Sequence, residues 1–409
     1  MLKQALPPIV CLDNNDYSSL SDPRRTQEQD AIRRQLLELA RSGQVIFAFA
    51  GTHLMEMAPL TPEFTGAAAA RADLLVDLCG RNALVSPDRV LEAELACAIG
   101  LATVPVEVLT ADATWFPRFD GALFSPFTDD DRHREVKQLL REQSTDRTQR
   151  RKFERKLFKH GQPTVMLKSL ISNAAANSSL ESALRSFPMR GEDAAVLSRY
   201  AWGQASAQEA ELALLNSLRD PRWMMRWFAE HHDTMSSISR WIREPSERYI
   251  AGVQEAMLCA KEIHRLEEES GTKIKNSPLT SSARKARQDN LLLNVANRLV
   301  QHHYPGRALI EDVRHLENHC PGLSTTLLCV CSTAWDSFGV QSRLPKSSDF
   351  ADALHALYAP YVSIFRADSY MAPHVTKHVK RRGTQVVGKL KDLPRQILKT
   401  LGQGSSISD

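Results

Sequence analysis

Apolar runs and helical spacing alternate in the first part of the chain. Ile9–Leu12 is an apolar run that ends in a polar cluster, and Val45–Ala50 is a second run of the same kind. Between them, Thr26–Arg41 carries apolar residues at helical spacing, and Gly51-Thr52 is typical of a turn that starts another helix. This alternation predicts an α/β fold, with a parallel sheet covered by helices over residues 1–115.

The middle of the chain, residues 116–343, has a different pattern. It is rich in helix-forming and charged residues and shows little strand-like alternation; Glu209–Leu218 and Ile250–Glu269 are examples. We therefore expect a large all-helical insertion between two parts of the α/β core.

The mixed pattern returns in residues 344–401. Phe350–Ala359 predicts a helix that Pro360 stops, and Tyr361–Phe365 predicts a strand. Thr384–Leu390 predicts another strand and Pro394–Leu401 a final helix, while residues 402–409 are expected to form a flexible tail.

Bulk composition adds little to this picture. The chain has 409 residues, with 52 basic against 48 acidic side chains, and the small excess does not by itself indicate nucleic-acid binding. Seven cysteines do not suggest a disulfide framework, and no apolar stretch approaches the roughly 20 residues that cross a bilayer. We expect a cytoplasmic protein with no membrane partner.

Acidic residues follow each of three predicted strands. Asp13 follows Ile9–Leu12, Glu56 lies early in the helix after Val45–Ala50, and Asp368 comes three residues after Phe365. In open parallel α/β sheets, active sites lie beyond the carboxyl ends of the strands. Asp352, on the helix before the last of these strands, is a fourth candidate.

A helical wheel divides that last helix into two faces. The side expected to pack on the sheet carries Phe350, Leu354, Leu357 and Tyr358. The opposite side carries Asp349, Asp352 and His355. Clustered carboxylates favour hard divalent cations, and magnesium uses one or two of them while keeping several waters. One or two Mg²⁺ or Mn²⁺ ions are therefore the expected cofactors.

Three segments together resemble the acidic blocks of PIN-like nuclease domains: LDNNDYSSL (Leu12–Leu20), GTHLMEM (Gly51–Met57) and SDFADALHALYAPYVSIFRADSYM (Ser348–Met371). The resemblance implies a PIN-like parallel sheet sandwiched by helices and metal-dependent hydrolysis of RNA, less often DNA. It places the catalytic and metal-binding acids at Asp13, Glu56, Asp352 and Asp368. Asn15 matches a polar partner of the first aspartate; Asp16, Asp349 and His355 are second-tier candidates.

The chain departs from the family pattern in two ways. Ser363 stands where related sequences often carry another acid, and the insertion is long for a PIN domain. For Asp13 and Asp16 the alternative is a turn cluster that caps the next helix. Asp349 is also a candidate cap. Glu56 and Asp352 have a solvent-facing position as the alternative, and Asp368 has an ordinary loop position.

Two basic segments are candidates for binding the substrate backbone. Seven lysines or arginines lie between Arg147 and Lys159, among them Arg151, Lys152 and Arg155, and a solvated helix face is the alternative. Lys377, Lys380, Arg381 and Arg382 follow Asp368, and we expect them on the site side of the sheet.

Two further groups suggest structure more than chemistry. Trp223, Trp227, Phe228 and Trp241 lie among arginines, where core packing of the helices competes with base stacking. The histidines and cysteines between His315 and Cys331 hint at zinc, but the apolar run Leu327–Cys331 favours buried structural cysteines.

The leading hypothesis is a metal-dependent endoribonuclease, with transfer RNA as one candidate substrate; a toxin or phage-defence setting rests on family analogy. The alternatives are a non-catalytic PIN-like scaffold that binds a protein partner or nucleic acid, and a DNA-directed nuclease. A protein partner or regulator on the insertion, and an oligomer, both stay open.

Overall fold

The computed structural model describes residues 7–59, 61–103, 106–111, 113–115, 156–159, 162–164, 190–201, 204–230, 232–271, 280–338, 343 and 346–405. The chain divides into two compact units, one made of Met1–Pro117 with Met235–Asp409 and the other of Arg118–Thr234. It is a mixed α/β protein, mostly helical, with a parallel four-stranded sheet in the first unit. The α/β prediction is confirmed at this level.

The strands are short. In chain order they are β1 (Ile9–Cys11), β2 (Ile46–Ala48), β3 (Ala83–Leu84), β4 (Leu109–Thr110), β5 (Phe158–Lys159), β6 (Gln162–Pro163), β7 (Ile364–Arg366) and β8 (Gln385–Val387). The main sheet has the order β2-β1-β7-β8, and all its pairs are parallel. Its apolar sequences suit strands that are buried on both faces.

β1 lies in the middle of this sheet, between strands from opposite ends of the chain. Val10 pairs with Phe47 on one side and with Ile364 on the other. A parallel bridge between Phe49 and Ala83 extends the β2 edge towards β3. The carboxyl ends of β1, β2 and β7 therefore meet at one rim.

The helices carry most of the first unit. They are α1 (Asn14–Ser21), α2 (Gln27–Arg41), α3 (Gly51–Met57), α4 (Thr65–Cys79) and α5 (Pro87–Ala98) before the second unit, which holds α6 (Gly191–Ala201), α7 (Ala207–Leu218) and α8 (Pro221–Glu230). They continue with α9 (His232–Ser270), α10 (Ser281–His303), α11 (Val313–His319), α12 (Pro321–Asp336), α13 (Ser347–His355), α14 (Met371–Val379) and α15 (Leu393–Ser405). Thr26 caps α2 in a reciprocal capping box with Gln29, which explains why that helix begins where the sequence predicts.

Helix α12 joins the sheet to the helices that precede it. Cys329 belongs to the apolar cluster that contains Cys11 and Phe365, while Leu323 and Leu328 belong to a second cluster formed with α5, α10 and α11. These helices pack within the sheet-containing unit. The separate unit, Arg118–Thr234, is therefore shorter than the predicted insertion of residues 116–343.

A buried glutamate fixes the start of α12. Glu94 is fully buried and accepts hydrogen bonds from the backbone N–H groups of Gly322 (2.5 Å) and Leu323 (3.0 Å) and from the hydroxyl of Tyr361. Burial raises the pKa of Glu94 to about 7, although these three donors oppose the shift. A Cβ at Gly322 would lie 2.7 Å from the carbonyl oxygen of Leu357, so this close approach requires glycine.

The region before β7 differs from the sequence prediction. A 3₁₀ helix spans Ala356–Tyr361, and the strand begins only at Ile364. Pro360 lacks the N–H that a strand ladder needs, and Tyr361 is held by Glu94, so these residues do not join the sheet.

The aromatic residues of the second unit have a structural role. Trp227 and Phe228 on α8 are both 2% exposed, with ring centroids 5.9 Å apart. Core packing is therefore confirmed for this pair, whereas the side chain of Trp241 lies outside the described residues. Within the described part of the chain, no helix combines the length and apolarity needed to cross a membrane.

Candidate metal-binding and catalytic site

The four predicted acids meet at the rim where β1, β2 and β7 end. Asp13 and Asp368 each lie two residues beyond a strand, Glu56 is on α3, and Asp352 is on α13. Burial and then the negative charges of Asp13, Glu56 and Asp368 together raise the pKa of Asp352 to about 8. Asp352 is thus close enough to the other three acids to be repelled by them.

Asp13 and Asp368 also start the helices that follow them. Oδ1 of Asp13 accepts from the backbone N–H of Asn15 (2.9 Å), and Oδ1 of Asp368 accepts from those of Tyr370 (3.0 Å) and Met371 (2.6 Å). The capping alternative is therefore confirmed for Asp13. Because each cap uses only Oδ1 among the described contacts, a cap and a metal ligand are compatible in the same carboxylate.

Asp16 supports the site and is paired with a fixed cation. Its carboxylate lies 3.1 Å from Arg366 and accepts a hydrogen bond from the backbone N–H of Asp13, completing the capping box of α1. Asp16 and Arg366 are both buried. Burial raises the pKa of Asp16 to about 7, against the opposing charge of Arg366.

Glu56 lies between a histidine and an amide. Nε2 of His355 is 3.3 Å from Oε1 of Glu56, an ion-pair distance without the alignment of a hydrogen bond, and Nδ2 of Asn14 donates to Oε2 (3.0 Å). Burial lowers the pKa of His355, but the charges of Glu56, Asp352 and Asp13 outweigh it and raise the pKa to about 9. An imidazolium therefore offsets part of the negative charge here.

Asn14 is the residue that the sequence prediction missed. The prediction chose Asn15, but its side chain is exposed and only its backbone N–H reaches Asp13. Asn14 instead holds Glu56, and its Oδ1 is a buried acceptor without a hydrogen-bond partner among the described residues. Since Asp13 caps the helix, Asn14 is its first residue and turns towards α3.

His53 connects the segments that follow β1 and β2 through hydrogen bonds. Its Nδ1 accepts from the backbone N–H of Ala50 (2.9 Å), so its Nε2 carries the proton and donates to the carbonyl oxygen of Leu12 (2.9 Å). Burial lowers the pKa of His53 to about 4, which keeps the ring neutral. The segments that carry Asp13 and Glu56 are thereby held in a fixed relation.

Helix α13 is rotated relative to the helical-wheel prediction. Leu354, expected to pack on the sheet, is 38% exposed, while Ala353 is fully buried. Asp349 is also buried, where it pairs with Arg343 through two 3.0 Å contacts and accepts from the backbone N–H of Lys346. These contacts hold Asp349 in the interior, so the side of α13 that carries Asp349 and Asp352 faces inwards.

The donor set suits a hard divalent cation held partly through water. Carboxylate oxygens and the unpartnered Oδ1 of Asn14 are oxygen ligands of the kind that Mg²⁺ and Mn²⁺ prefer. Among the described residues, no three His, Cys, Asp or Glu side chains are close enough to share one ion directly. Such an ion would therefore use one or two carboxylates, as magnesium commonly does.

The predicted basic contacts do not all lie on the site side. Because α14 runs back from the rim, Lys380, Arg381 and Arg382 lie just before β8, at the edge where the strands begin. Arg382 also donates to the carbonyl oxygens of Glu317 and Asn318. The expected placement beside Asp368 is wrong for these three. Arg151, Lys152 and Arg155 lie outside the described residues.

The histidines and cysteines that hint at zinc have other partners. Nε2 of His315 is 2.8 Å from the carbonyl oxygen of Ala98, and Nδ1 of His319 is 3.0 Å from that of His315. Cys329 is fully buried in an apolar cluster, as the structural interpretation predicts, whereas Cys331 is only partly buried.

Comparison with family models, curated proteins and solved structures gives no match to this chain. The chemistry of the rim residues is therefore the basis for assigning a function.

Proposed function

We propose that this chain is a metal-dependent nuclease with a PIN-like core that hydrolyses phosphodiester bonds of RNA. The observation that supports it most is the convergence of Asp13, Glu56, Asp352 and Asp368 on one rim of a parallel sheet, where the other three acids repel Asp352. Keeping four acids together raises the free energy of the folded chain unless a bound cation neutralises part of their charge. The motif resemblance supports RNA, including transfer RNA, as the substrate.

One or two of the four acids, together with Oδ1 of Asn14, would hold Mg²⁺ or Mn²⁺, and water would supply the other ligands. When bound, such an ion lowers the pKa of water and stabilises the charge on the leaving oxygen. Asp13 and Asp368 keep their carboxylates in place through the caps that they form. His355 balances the charge of Glu56, so that this part of the site stays compact.

Cleavage by the purified chain tests the proposal. The chain is incubated with labelled RNA, single-stranded DNA and duplex DNA, with Mn²⁺ and then with EDTA. We expect fragments from RNA that require the metal, and at least a 100-fold loss of rate in Asp13→Asn, in line with the loss of a single strong transition-state interaction. Asparagine caps a helix as well as aspartate does, so this variant should fold normally.

Exposed Asp392 provides the control, because Asp392→Asn removes one exposed carboxylate that is not among the four rim acids. It should cleave at the wild-type rate. Full activity of Asp13→Asn would overturn the proposed site. Metal-dependent cleavage of DNA alone would retain the nuclease and reject RNA as its substrate.

A non-catalytic PIN-like scaffold is the second candidate. The existing contacts of Glu56 with His355 and Asn14 favour it, because they hold this acid without a metal ion. RNA or DNA binding that is independent of metal, with no cleavage of any substrate, would support the scaffold over the nuclease.

A further inference from the structure

A groove opens beside Asp368, between α14 and the segment that follows β8. Its volume is about 550 Å³, within the size range of pockets that bind small organic ligands. The lining includes Ser369, Ala372, Pro373, Lys377, Gly388 and Lys389.

The groove is continuous with the candidate site. Ser369 follows Asp368 directly, and Gly388 follows the last residue of β8. The backbone N–H of Ala367 donates to the carbonyl oxygen of Val387 (3.2 Å), so the two strand ends lie side by side. A chain that passes the carboxylates would therefore reach this groove next.

The surface of the groove combines an apolar floor with two cations. Ala372 and Pro373 supply apolar surface from α14, and a Cβ at Gly388 would lie 3.2 Å from that of Ala372, so glycine keeps the floor open. Lys377 comes from α14 and Lys389 from the opposite segment, and both are exposed. An apolar face flanked by lysines complements a sugar or base with phosphates on either side.

We propose that this groove binds the single-stranded RNA segment next to the cleaved phosphodiester, with Lys377 and Lys389 contacting its phosphates. The proposal rests on the proposed function for its substrate class. Lys389 is a new candidate contact. Lys377 lies in the last turn of α14, one turn before Lys380, and it lines the groove whereas Lys380 and Arg381 do not.

Binding in EDTA tests the groove without requiring cleavage. Fluorescence anisotropy with a labelled single-stranded RNA compares wild type with Lys377→Ala/Lys389→Ala over a range of salt concentrations. We expect about a 10-fold weaker affinity and a salt slope reduced by about 1.4, as for two lost phosphate contacts on a single strand. Lys380→Ala/Arg381→Ala removes the same charge from two neighbouring residues that do not line the groove, and it should change the affinity less than about 2-fold.

Gly388→Val provides a test that leaves both charges in place. The added side chain fills the floor, so affinity should fall while the salt slope stays that of wild type, with circular dichroism confirming the fold. Wild-type affinity in Lys377→Ala/Lys389→Ala, or an equal loss of affinity in Lys380→Ala/Arg381→Ala, would overturn the proposal that the groove binds RNA, even if RNA is cleaved. RNA binding that depends on the groove, without metal-dependent cleavage, would instead reject only the proposed nuclease.

Discussion

Replacing Asp352 by asparagine should stabilise the folded chain while abolishing cleavage. The pKa of Asp352 rises from 3.8 to about 8, through burial first and then through the charges of Asp13, Glu56 and Asp368. Because the folded pKa lies above the unfolded value, the native state binds this proton more tightly than the unfolded state does. Stability is therefore lost as pH rises from about 4 towards 8. Asparagine removes the titrating group and with it this loss.

The size of the effect follows from the shift. At roughly 1.4 kcal/mol per pKa unit, the raised pKa of Asp352 lowers the free energy of unfolding by about 4 kcal/mol at pH 7 and about 2 kcal/mol at pH 5. The neighbouring carboxylates relax when one of them is removed, and the new amide needs partners of its own. We therefore expect a measured gain of about 1–3 kcal/mol at pH 7, and a smaller one at pH 5.

Urea-induced unfolding in EDTA at pH 5 and pH 7 measures this gain, with Asp392→Asn as the control for replacing an exposed aspartate by asparagine. Mn²⁺ should then stabilise wild type by about 2.7 kcal/mol at 100 times its dissociation constant, and Asp352→Asn by less. An unchanged or lower stability of Asp352→Asn at pH 7, or a gain that does not increase with pH, would refute the reasoning from clustered charge.

Two predictions concern residues that position the elements around the site. Gly322→Ala should lower the free energy of unfolding by about 1–3 kcal/mol in urea denaturation, because its Cβ would meet the carbonyl oxygen of Leu357 and Oε1 of Glu94. An unchanged free energy of unfolding would mean that α12 shifts freely. Arg366→Met should cost about 3–5 kcal/mol by leaving Asp16 buried without its cation. This loss of unfolding free energy should be smaller at pH 5 than at pH 8, since a protonated Asp16 needs no partner. Adding Asp16→Asn should restore part of the lost stability. Equal losses at both pH values would count against this pairing.

The rim acids were predictable from the sequence because their positions depend on local rules. An apolar run followed by an aspartate predicts a strand end, and both Asp13 and Asp368 lie just beyond one. The cap was expected at Asp13 and is found there, whereas the cap that Asp368 forms was not predicted. The capping box of Asp13 with Asp16 also fixes the start of α1. That signal was sufficient to place Asn14, rather than Asn15, at the first helical position facing Glu56.

Tertiary contacts determine the structural features that the sequence analysis did not predict. The face that α13 buries depends on the pairing of Asp349 with Arg343, and helical spacing alone does not reveal that a charged face is turned inwards. The 3₁₀ turn before β7 depends on Glu94, which lies more than two hundred residues away in the sequence. The basic residues after α14 lie at the opposite edge of the sheet because a helix that connects two parallel strands runs back to the start of the next strand.

The central position of β1 has a consequence for biosynthesis. Its partners on one side come from a strand 354 positions later, as the contact of Ile9 with Ser363 illustrates. At about 5–20 residues per second, a ribosome takes roughly 20–70 s to span that distance. Throughout that interval the nascent chain holds Asp13 and Glu56 without Asp352 and Asp368, so translation itself delays the meeting of the four rim acids until residue 368 has been added.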